Sequence, residues 1–478
     1  MISFGIMKHF TWIFAVLFCF SCLEKKAPDY PNVIMVMCDD LGWGDVGFNG
    51  NKVIRTPNLD MLASKGMIFN RFYTASPVCS PTRASCLTGR NPYRMNITTA
   101  NDGHMRSGEV TLAEVLRRHG FQTGHFGKWH LGTFTTKIQD SNRGRPGNYT
   151  DFSIPAQHGF DEFFSTEAKV PTYDPMIKPK IYQVEIGESL RFGWTNREAN
   201  DSIEAFGAFY WKGKENRVVD DLDGDDAKII VDRAMDFIDR SSKSEQPFFA
   251  VIWLHTPHLP VVADKTHRDI YSPYDLKEQL YYGTISAMDE QIGRLWMKLD
   301  ELGERENTML WFCSDNGPEN GTPGSAGQFR ERKRSLYEGG IRVPAFVVWE
   351  DHIQPNQTSE FPMVTSDYMP TILDMLEISH HLNRPMDGIS IKEAIMGTQH
   401  ERAKPIGFLF RNKMSWMTHQ YKLISVDMGE TFELYDVIND PEEQRNIALE
   451  NKQLVDEMKQ DLFSWINSVD DSRTGGDY

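Results

Sequence analysis

Acidic and amide side chains follow two apolar runs of the sequence. Asp39 and Asp40 come directly after the run 32–38. Asp315 and Asn316 follow a second run in the same way. Such runs are typical of strands in a parallel sheet, and ligands of open α/β sheets bind at the carboxyl ends of the strands. One pair alone is most often a solvated turn, but the repetition favours a shared site. Because all four side chains offer hard oxygen ligands, they indicate Ca²⁺ or Mg²⁺, and the flexible coordination of Ca²⁺ suits them best.

A cysteine stands in the segment 77–90, whose one-letter sequence is PVCSPTRASCLTGR. Pro81 and the residues after it predict a helix that begins just behind Cys79. The N-terminus of a helix carries unpaired N–H groups and a positive dipole, which favour a bound anion. Arg83 and Arg90 add guanidinium groups that match the oxygens of sulfate or phosphate. Taken alone, the cysteine would be interpreted as a buried structural residue.

Lysines and histidines elsewhere add groups that could handle protons or an anion. Lys128 and His130 follow a predicted strand, and His258 stands between two prolines after another. Lys333 lies in a run of charged residues. Each of them by itself is as readily part of a solvated turn or face. Of the two histidines at 255 and 258, His255 is the better candidate for a structural role.

The motif C-S-P-T-R followed by L-T-G-R resembles the sequence pattern of the type I sulfatases. In that family the cysteine of C-x-P-x-R is oxidised to formylglycine by a dedicated enzyme. Further matching segments are 39–40, 127–132, 255–260, 314–317, 333–344, 386–390 and 433–436. They occur in the family's order and cover nearly all of the chain after its first residues. The resemblance implies a large alkaline-phosphatase-like α/β domain with a smaller C-terminal part.

The same resemblance implies a role for each candidate residue. The implied ligands of one Ca²⁺ are Asp39, Asp40, Cys79, Asp315 and Asn316. The implied nucleophile is residue 79, as formylglycine hydrate. Arg83 and Lys128 would stabilise this hydrate and the developing charge, and His130 would act as a base. His258 and Lys333 would hold the transferring sulfate and protonate the leaving oxygen, His258 being the better acid near neutral pH.

The elements that must position these residues alternate along the chain. The predicted strands are 32–38, 121–126, 248–254, 308–313 and 345–349, and the predicted helices are 56–66, 111–119, 225–240 and 276–302. This alternation predicts an α/β catalytic domain over 28–397, with a mostly parallel central sheet flanked by helices. The irregular segment 134–226 is too long for a plain loop and should shape a binding face. Alternating runs and a final helix predict an α+β subdomain with an antiparallel sheet over 398–478.

The composition limits the partners of the chain. Its 478 residues carry a formal net charge of −16, which argues against nucleic acid as a partner and against non-specific binding to anionic membranes. An anionic substrate then needs a local positive site, which the cationic candidates would supply. Cys38, Cys86 and Cys313 are predicted to be small buried residues, since their spacing suggests no disulfide framework.

The first residues are typical of an export signal. The apolar run 10–20 has the length of a signal-peptide core and is short for a membrane span. Ser21 before Cys22 resembles a bacterial lipoprotein processing site, which would make 1–22 the signal and Cys22 the lipidated residue. The chain is therefore expected in the periplasm or on the outer membrane of a bacterium, touching the membrane only through this anchor. Ordinary cleavage to a soluble protein is the alternative.

These patterns together predict a sulfuric ester hydrolase. The expected substrate is a sulfated carbohydrate, either a polysaccharide or a glycosaminoglycan fragment. The expected partner during maturation is the formylglycine-generating enzyme. A phosphate or phosphonate ester hydrolase of the same superfamily is the first alternative, because related families share the metal-binding fold. A non-catalytic glycan-binding protein on the same scaffold is the second.

Overall fold

A computed structural model describes residues 30–180, 203–213, 216–379 and 384–478. The signal peptide 1–22, with Cys22, lies outside these residues and stays a prediction. The strands are β1 Asn32–Cys38, β2 Met67–Phe69, β3 Phe72–Tyr73, β4 Gln122–Lys128, β5 Glu162–Thr166, β6 Ile177–Pro179, β7 Ile203–Ala205, β8 Tyr210–Trp211, β9 Phe248–Trp253, β10 Thr308–Ser314, β11 Ala345–Val348, β12 Gln357–Ser359, β13 Met363–Val364, β14 Ile406–Phe410, β15 Lys413–Met417, β16 Tyr421–Ser425 and β17 Glu433–Asp436.

Ten α-helices lie in the described ranges. They are α1 Pro57–Ser64, α2 Cys79–Thr88, α3 Leu112–Arg118, α4 Asp226–Lys243, α5 Lys265–Asp269, α6 Leu276–Glu301, α7 Glu338–Ile341, α8 Tyr368–Met375, α9 Lys392–Ile395 and α10 Lys452–Thr474. In the part of the chain that the structure covers, none of these helices has the length and apolar character needed to cross a membrane.

Nine strands form the main sheet, in the order β12-β2-β11-β10-β1-β9-β4-β5-β8. The five central strands β10, β1, β9, β4 and β5 run parallel to one another. Val33 of β1 is in register with Met309 of β10 on one side and Phe249 of β9 on the other. The predicted α/β architecture with a mostly parallel sheet is confirmed. The predicted strand 345–349 is β11, which pairs antiparallel with β10.

The residues of β1 alternate between two hydrophobic cores. Val33 and Met35 enter the core that α2, α3 and α8 cover. Ile34 and Val36 enter the opposite core, beneath α1, α4 and α6. Every residue of β1 is buried, which explains its continuous apolar sequence. Two helical layers therefore enclose the sheet, and its strand ends emerge between them.

The four strands β14 to β17 form an antiparallel sheet near the C-terminus. Helix α10 covers one face, where Leu462 packs with Trp416 and Leu434. The other face packs against the main body, with Phe408 in one core with Tyr73. The predicted boundary at residue 397 falls between α9 and β14. The predicted antiparallel C-terminal sheet is confirmed, and it shares a hydrophobic core with the rest of the chain.

Buried charges also join the two parts. The Nζ atom of Lys422 on β16 lies 2.9 Å from Glu338 Oε1 on α7 and 2.9 Å from Glu443 Oε1. All three side chains are buried. Burial opposes ionisation of Glu338, but Lys422 and Arg342 hold the pKa of its carboxyl below the usual value. Because uncompensated buried charges are strongly unfavourable, this cluster fixes the C-terminal sheet against α7.

Candidate active site

The predicted site residues converge at one edge of the main sheet. Strands β10, β1, β9 and β4 are neighbours, so their carboxyl ends bring four loops together. From β10 to β4, those ends carry Asp315 and Asn316, Asp39 and Asp40, His258, and Lys128 and His130. Lys333 lies in the loop before α7. The next residue in this loop, Arg334, donates a backbone hydrogen bond of 3.0 Å from its N atom to Pro77 O. This bond joins the loop of Lys333 to the segment that leads into α2.

Helix α2 places Cys79 at its first turn. The helix begins at Cys79 itself, close to the predicted start just behind Cys79, and Val78 before it is still extended while its carbonyl accepts from Thr82 N. Pro81 fits in the first turn, where the backbone N–H groups have no partner within the helix. Cys79 is 2% exposed. Burial raises the pKa of its thiol despite nearby Lys128, so the unmodified thiol is protonated and a poor nucleophile at neutral pH.

Three buried carboxylates are each paired with a cation. The distance from Lys128 Nζ to Asp39 Oδ2 is 2.5 Å, and that from Lys333 Nζ to Asp40 Oδ1 is also 2.5 Å. These pairs flank Cys79 on two sides. The third pair is the 2.6 Å contact between Arg83 Nη2 and Asp315 Oδ2.

The carboxylates perturb one another as well. Burial opposes ionisation of Asp39, but Lys128 and the other cations hold the pKa of its carboxyl well below the usual value. Burial and the neighbouring charge of Asp39 instead raise the pKa of Asp315 to about 7. A bound cation would favour the ionised form of both groups. At Asp315, burial and the charge of Asp39 therefore outweigh the effect of Arg83 and Lys128.

Three buried oxygens of this cluster have no hydrogen-bond partner among the described residues: Asp39 Oδ1, Asp40 Oδ2 and Asn316 Oδ1. The amide of Asn316 is oriented by its Nδ2 group, which donates to Asp40 Oδ1 at 2.6 Å. Buried polar atoms without partners are uncommon in folded proteins. Ligand atoms of Asp39, Asp315 and Cys79 also lie within 4.8 Å of one another. The predicted ligand residues thus lie close together and offer oxygens of the kind that Ca²⁺ prefers in proteins.

Arg83 is held in place by a buried carboxylate of the site and by a backbone carbonyl. Its Nε and Nη2 atoms donate to Asp315 Oδ2, and its Nη1 atom donates to the carbonyl of Lys128. The side chain is fully buried. Arg90, which the sequence analysis grouped with it, lies at the far end of α2 and pairs with Glu109 and Asp477. The expectation that Arg90 faces an anion is therefore wrong, because Arg90 lies beyond the last residue of α2 and its guanidinium is bound by Glu109 and Asp477.

The two histidines after β9 have different surroundings. His255 is fully buried, with Nδ1 2.7 Å from Asp226 Oδ2 and Nε2 2.7 Å from Thr166 Oγ1. His258 contacts the carbonyl of Leu259 through Nδ1 at 2.6 Å, which leaves Nε2 3.7 Å from Asp40 Oδ2. His255 is thus held between structural partners, whereas His258 presents one ring nitrogen to the acidic cluster.

His130 lies on the opposite side of the site. Its backbone φ of +56° is in the left-handed region, and Ser80 Oγ donates to its carbonyl at 2.5 Å. Burial, with Lys128 nearby, holds the pKa of the ring well below the usual value, so the ring is neutral at pH 7. A neutral imidazole is the form that can accept a proton.

A pocket of about 300 Å³ opens over Cys79. It is lined by Val78, Cys79, Thr99, Ala100, Asn101, Lys128, His130, Asn142, Ala168, Lys169, His258, Lys333, Arg334, Phe410 and Arg411. Five of these residues were predicted from the sequence: Cys79, Lys128, His130, His258 and Lys333. The sequence analysis missed Asn101, Asn142, Lys169 and Arg411, which stand in loops without periodicity or motif. The described part of 134–226 and the C-terminal sheet both contribute to this rim.

Comparison with known proteins decides the family. The family model named Sulfatase matches residues 31–378, which is most of the chain. This chain belongs to the sulfatase family. It is accordingly a sulfuric ester hydrolase. A second model, the C-terminal part of N-sulphoglucosamine sulphohydrolase, matches residues 324–468 of this sulfatase.

Relatives of this sulfatase are similar over most of their length. N-acetylgalactosamine-6-sulfatase of Mus musculus is 31% identical over 427 residues, which cover 85% of this chain and 74% of the relative. Arylsulfatase G of Mus musculus is 32% identical over 417 residues, covering 81% and 73%. The solved structure of Ps i-CgsB in complex with k-i-k-neocarrahexaose matches with a TM-score of 0.76 and 26% identity, covering 91% of this chain and 92% of that one.

The different surroundings of His255 and His258 predict different defects. For His258→Ala we expect kcat to fall by about 10²–10⁴-fold with little loss of stability, because proton transfer is removed but only one hydrogen bond is lost. For His255→Ala we expect a loss of about 1–3 kcal/mol in unfolding free energy, since Asp226 and Thr166 lose their buried partner. Urea unfolding and steady-state turnover measure both. A destabilised His258→Ala with normal kcat would contradict the assignment.

Proposed function

We propose that this sulfatase removes sulfate from a sulfated carbohydrate, with residue 79 as formylglycine and one Ca²⁺ at the strand ends. The observation that carries the proposal is the group of unpartnered buried oxygens on Asp39, Asp40 and Asn316, beside Cys79 at the start of α2. The C-x-P-x-R motif around Cys79 supports its oxidation by a formylglycine-generating enzyme. A carbohydrate substrate is supported by the relatives, one named for N-acetylgalactosamine-6-sulfate and one solved with neocarrahexaose.

Formylglycine and Ca²⁺ would supply a nucleophile and a positive charge that the unmodified polypeptide does not offer. An aldehyde hydrate at residue 79 offers a hydroxyl nucleophile in place of a protonated thiol, and its second hydroxyl allows the sulfate to be released. Asp39, Asp40, Asp315 and Asn316 would hold Ca²⁺, which supplies positive charge to sulfate oxygens and lowers the pKa of a coordinated hydroxyl.

Lysines of the site bind and orient the sulfate. Lys128 and Lys333 both line the pocket, and each is fixed by a carboxylate at 2.5 Å. Burial opposes protonation of Lys333, but Asp40 raises the pKa of its ammonium above the usual value, so Lys333 stays charged. Fixed cations of this kind stabilise charge on the transferring group without reorganising during the reaction.

Proton transfer falls to the two pocket histidines. Burial lowers the pKa of His258, so its ring is neutral before substrate binds. An anionic sulfate placed beside it favours the imidazolium form, and the charged ring can then protonate the leaving oxygen. His130 is neutral on the other side of residue 79 and is positioned to accept a proton when sulfate is released.

Parallel assays separate this proposal from phosphate ester hydrolysis. We expect 4-nitrophenyl sulfate to be hydrolysed with a higher kcat/KM than 4-nitrophenyl phosphate by protein matured with a formylglycine-generating enzyme. Cys79→Ala should abolish sulfate release from the aryl ester and from a panel of sulfated oligosaccharides. Faster turnover of the phosphate ester would show that the protein is a phosphate ester hydrolase. Full sulfate release by Cys79→Ala would show that residue 79 is not the nucleophile.

Calcium removal tests the proposed metal site. Treatment with EGTA should abolish turnover and lower the unfolding temperature, and added Ca²⁺ should restore both, because ligand binding at 100 times Kd stabilises by about 2.7 kcal/mol. Asp40→Asn should lose the calcium-dependent rise in unfolding temperature. Asp461→Asn is the control, because Asp461 is exposed on α10 and does not line the pocket. Normal calcium binding by Asp40→Asn, measured by calorimetry, would exclude this ligand set.

A further inference from the structure

Most cations that line the pocket are already paired with carboxylates. Lys128 pairs with Asp39 and Lys333 with Asp40, as described above. Arg334 forms a bidentate contact with Glu319, with Nη2 2.8 Å from Oε2. Lys169 and Arg411 also line the pocket, and no carboxylate within the described ranges lies within 4 Å of either. In a protein with a net charge of −16, two unpaired cations at one pocket mouth form a local positive surface.

Lys169 lies three residues beyond the end of β5, next to the sulfate-binding lysines. Burial lowers the pKa of its ammonium, and the charges of Lys128 and Lys333 lower it further. Its side chain nevertheless remains exposed to solvent. The ammonium of Lys169 is therefore in the field of the catalytic lysines but has an open side from which an anion can approach.

Arg411 approaches the pocket from the C-terminal sheet. It is the first residue of the two-residue loop between β14 and β15 and has a φ of +54°, a conformation that disfavours side chains other than glycine, asparagine and aspartate. Its backbone N–H donates to Tyr93 Oη at 2.9 Å, which fixes the loop against the segment that follows α2. The guanidinium lies over the ring of Phe410, 5.4 Å from the ring centroid.

The ring of Phe410 gives the guanidinium a defined place at the rim. Both Phe410 and Arg411 line the pocket over Cys79, although they belong to a different sheet. The positive φ of Arg411 is the backbone conformation that the first position of a two-residue hairpin loop requires, and it leaves the side chain exposed to solvent. The hydrogen bond to Tyr93 holds the backbone of this loop beside the pocket, and the contact with Phe410 directs the guanidinium along the rim.

Resting on the proposed function, we infer that the sugar carries a second anionic group beside the sulfate ester and that Lys169 and Arg411 bind it. This group is a carboxylate or a second sulfate. A neutral sugar would leave both cations beside the bound substrate without a partner, whereas an anionic substituent gains charge-assisted hydrogen bonds from both. The substrate class is therefore a multiply charged saccharide rather than one with a single sulfate.

Three disaccharides of otherwise equal structure test this inference. One carries a single sulfate ester, one adds a uronate carboxylate, and one adds a second sulfate. Their inhibition constants are measured against hydrolysis of 4-nitrophenyl sulfate, whether or not they are themselves cleaved. We expect each doubly charged compound to bind at least about ten-fold more tightly than the singly charged one. Comparing the uronate and the disulfate shows which anion is preferred.

Variants assign the preference to the two cations. Lys169→Met and Arg411→Met should each reduce the preference by about ten-fold, and Lys169→Arg should keep most of it. Lys265→Met is the control, because Lys265 is 78% exposed on α5 and paired with Asp269. Equal binding of singly and doubly charged disaccharides by the wild type, or an unchanged preference in both Met variants, would overturn the inference. Failure to hydrolyse the aryl sulfate would instead count against the proposed activity, and calorimetric binding of the disaccharides would still test the anion site.

Discussion

The site depends on holding three buried carboxylates beside three cations. Asp39, Asp40 and Asp315 are almost completely buried, and isolated buried charges are strongly unfavourable. Each is balanced by a cation from a different part of the chain: Lys128 from β4, Lys333 from the loop before α7 and Arg83 from α2. The three pairs can therefore form only when the main sheet, the first turn of α2 and the loop before α7 are all in place. The oxygens left without partners give the balanced cluster its capacity for a further cation.

Much of this arrangement could be predicted because it follows from local sequence. A strand buried on both faces must be continuously apolar, and β1 and β10 therefore stand out, with their acids directly behind them. The order of the central strands then brings these acids together, as expected for a parallel sheet. The start of α2, predicted just behind Cys79, lies at Cys79, because Pro81 is tolerated only in the first turn of a helix.

The parts that escaped prediction depend on contacts between distant segments. Arg90 looked equivalent to Arg83 in the motif, but its partners Glu109 and Asp477 are brought to it only by the fold. Lys169 and Arg411 reach the pocket from β5 and from the hairpin of the second sheet. No periodicity marks a residue whose position depends on how two sheets pack together. The residues proposed to carry out the reaction could therefore be predicted from sequence motifs, whereas the residues proposed to recognise the substrate could not.

The proposed chemistry depends on the chemical state of residue 79. The most direct measurement is a mass spectrum of the proteolytic peptide that contains this residue, from catalytically active protein, read together with trapping by an aldehyde-specific hydrazine. We expect the mass of formylglycine or its hydrate and complete loss of turnover when the aldehyde is trapped. An unmodified cysteine in fully active protein would contradict this expectation.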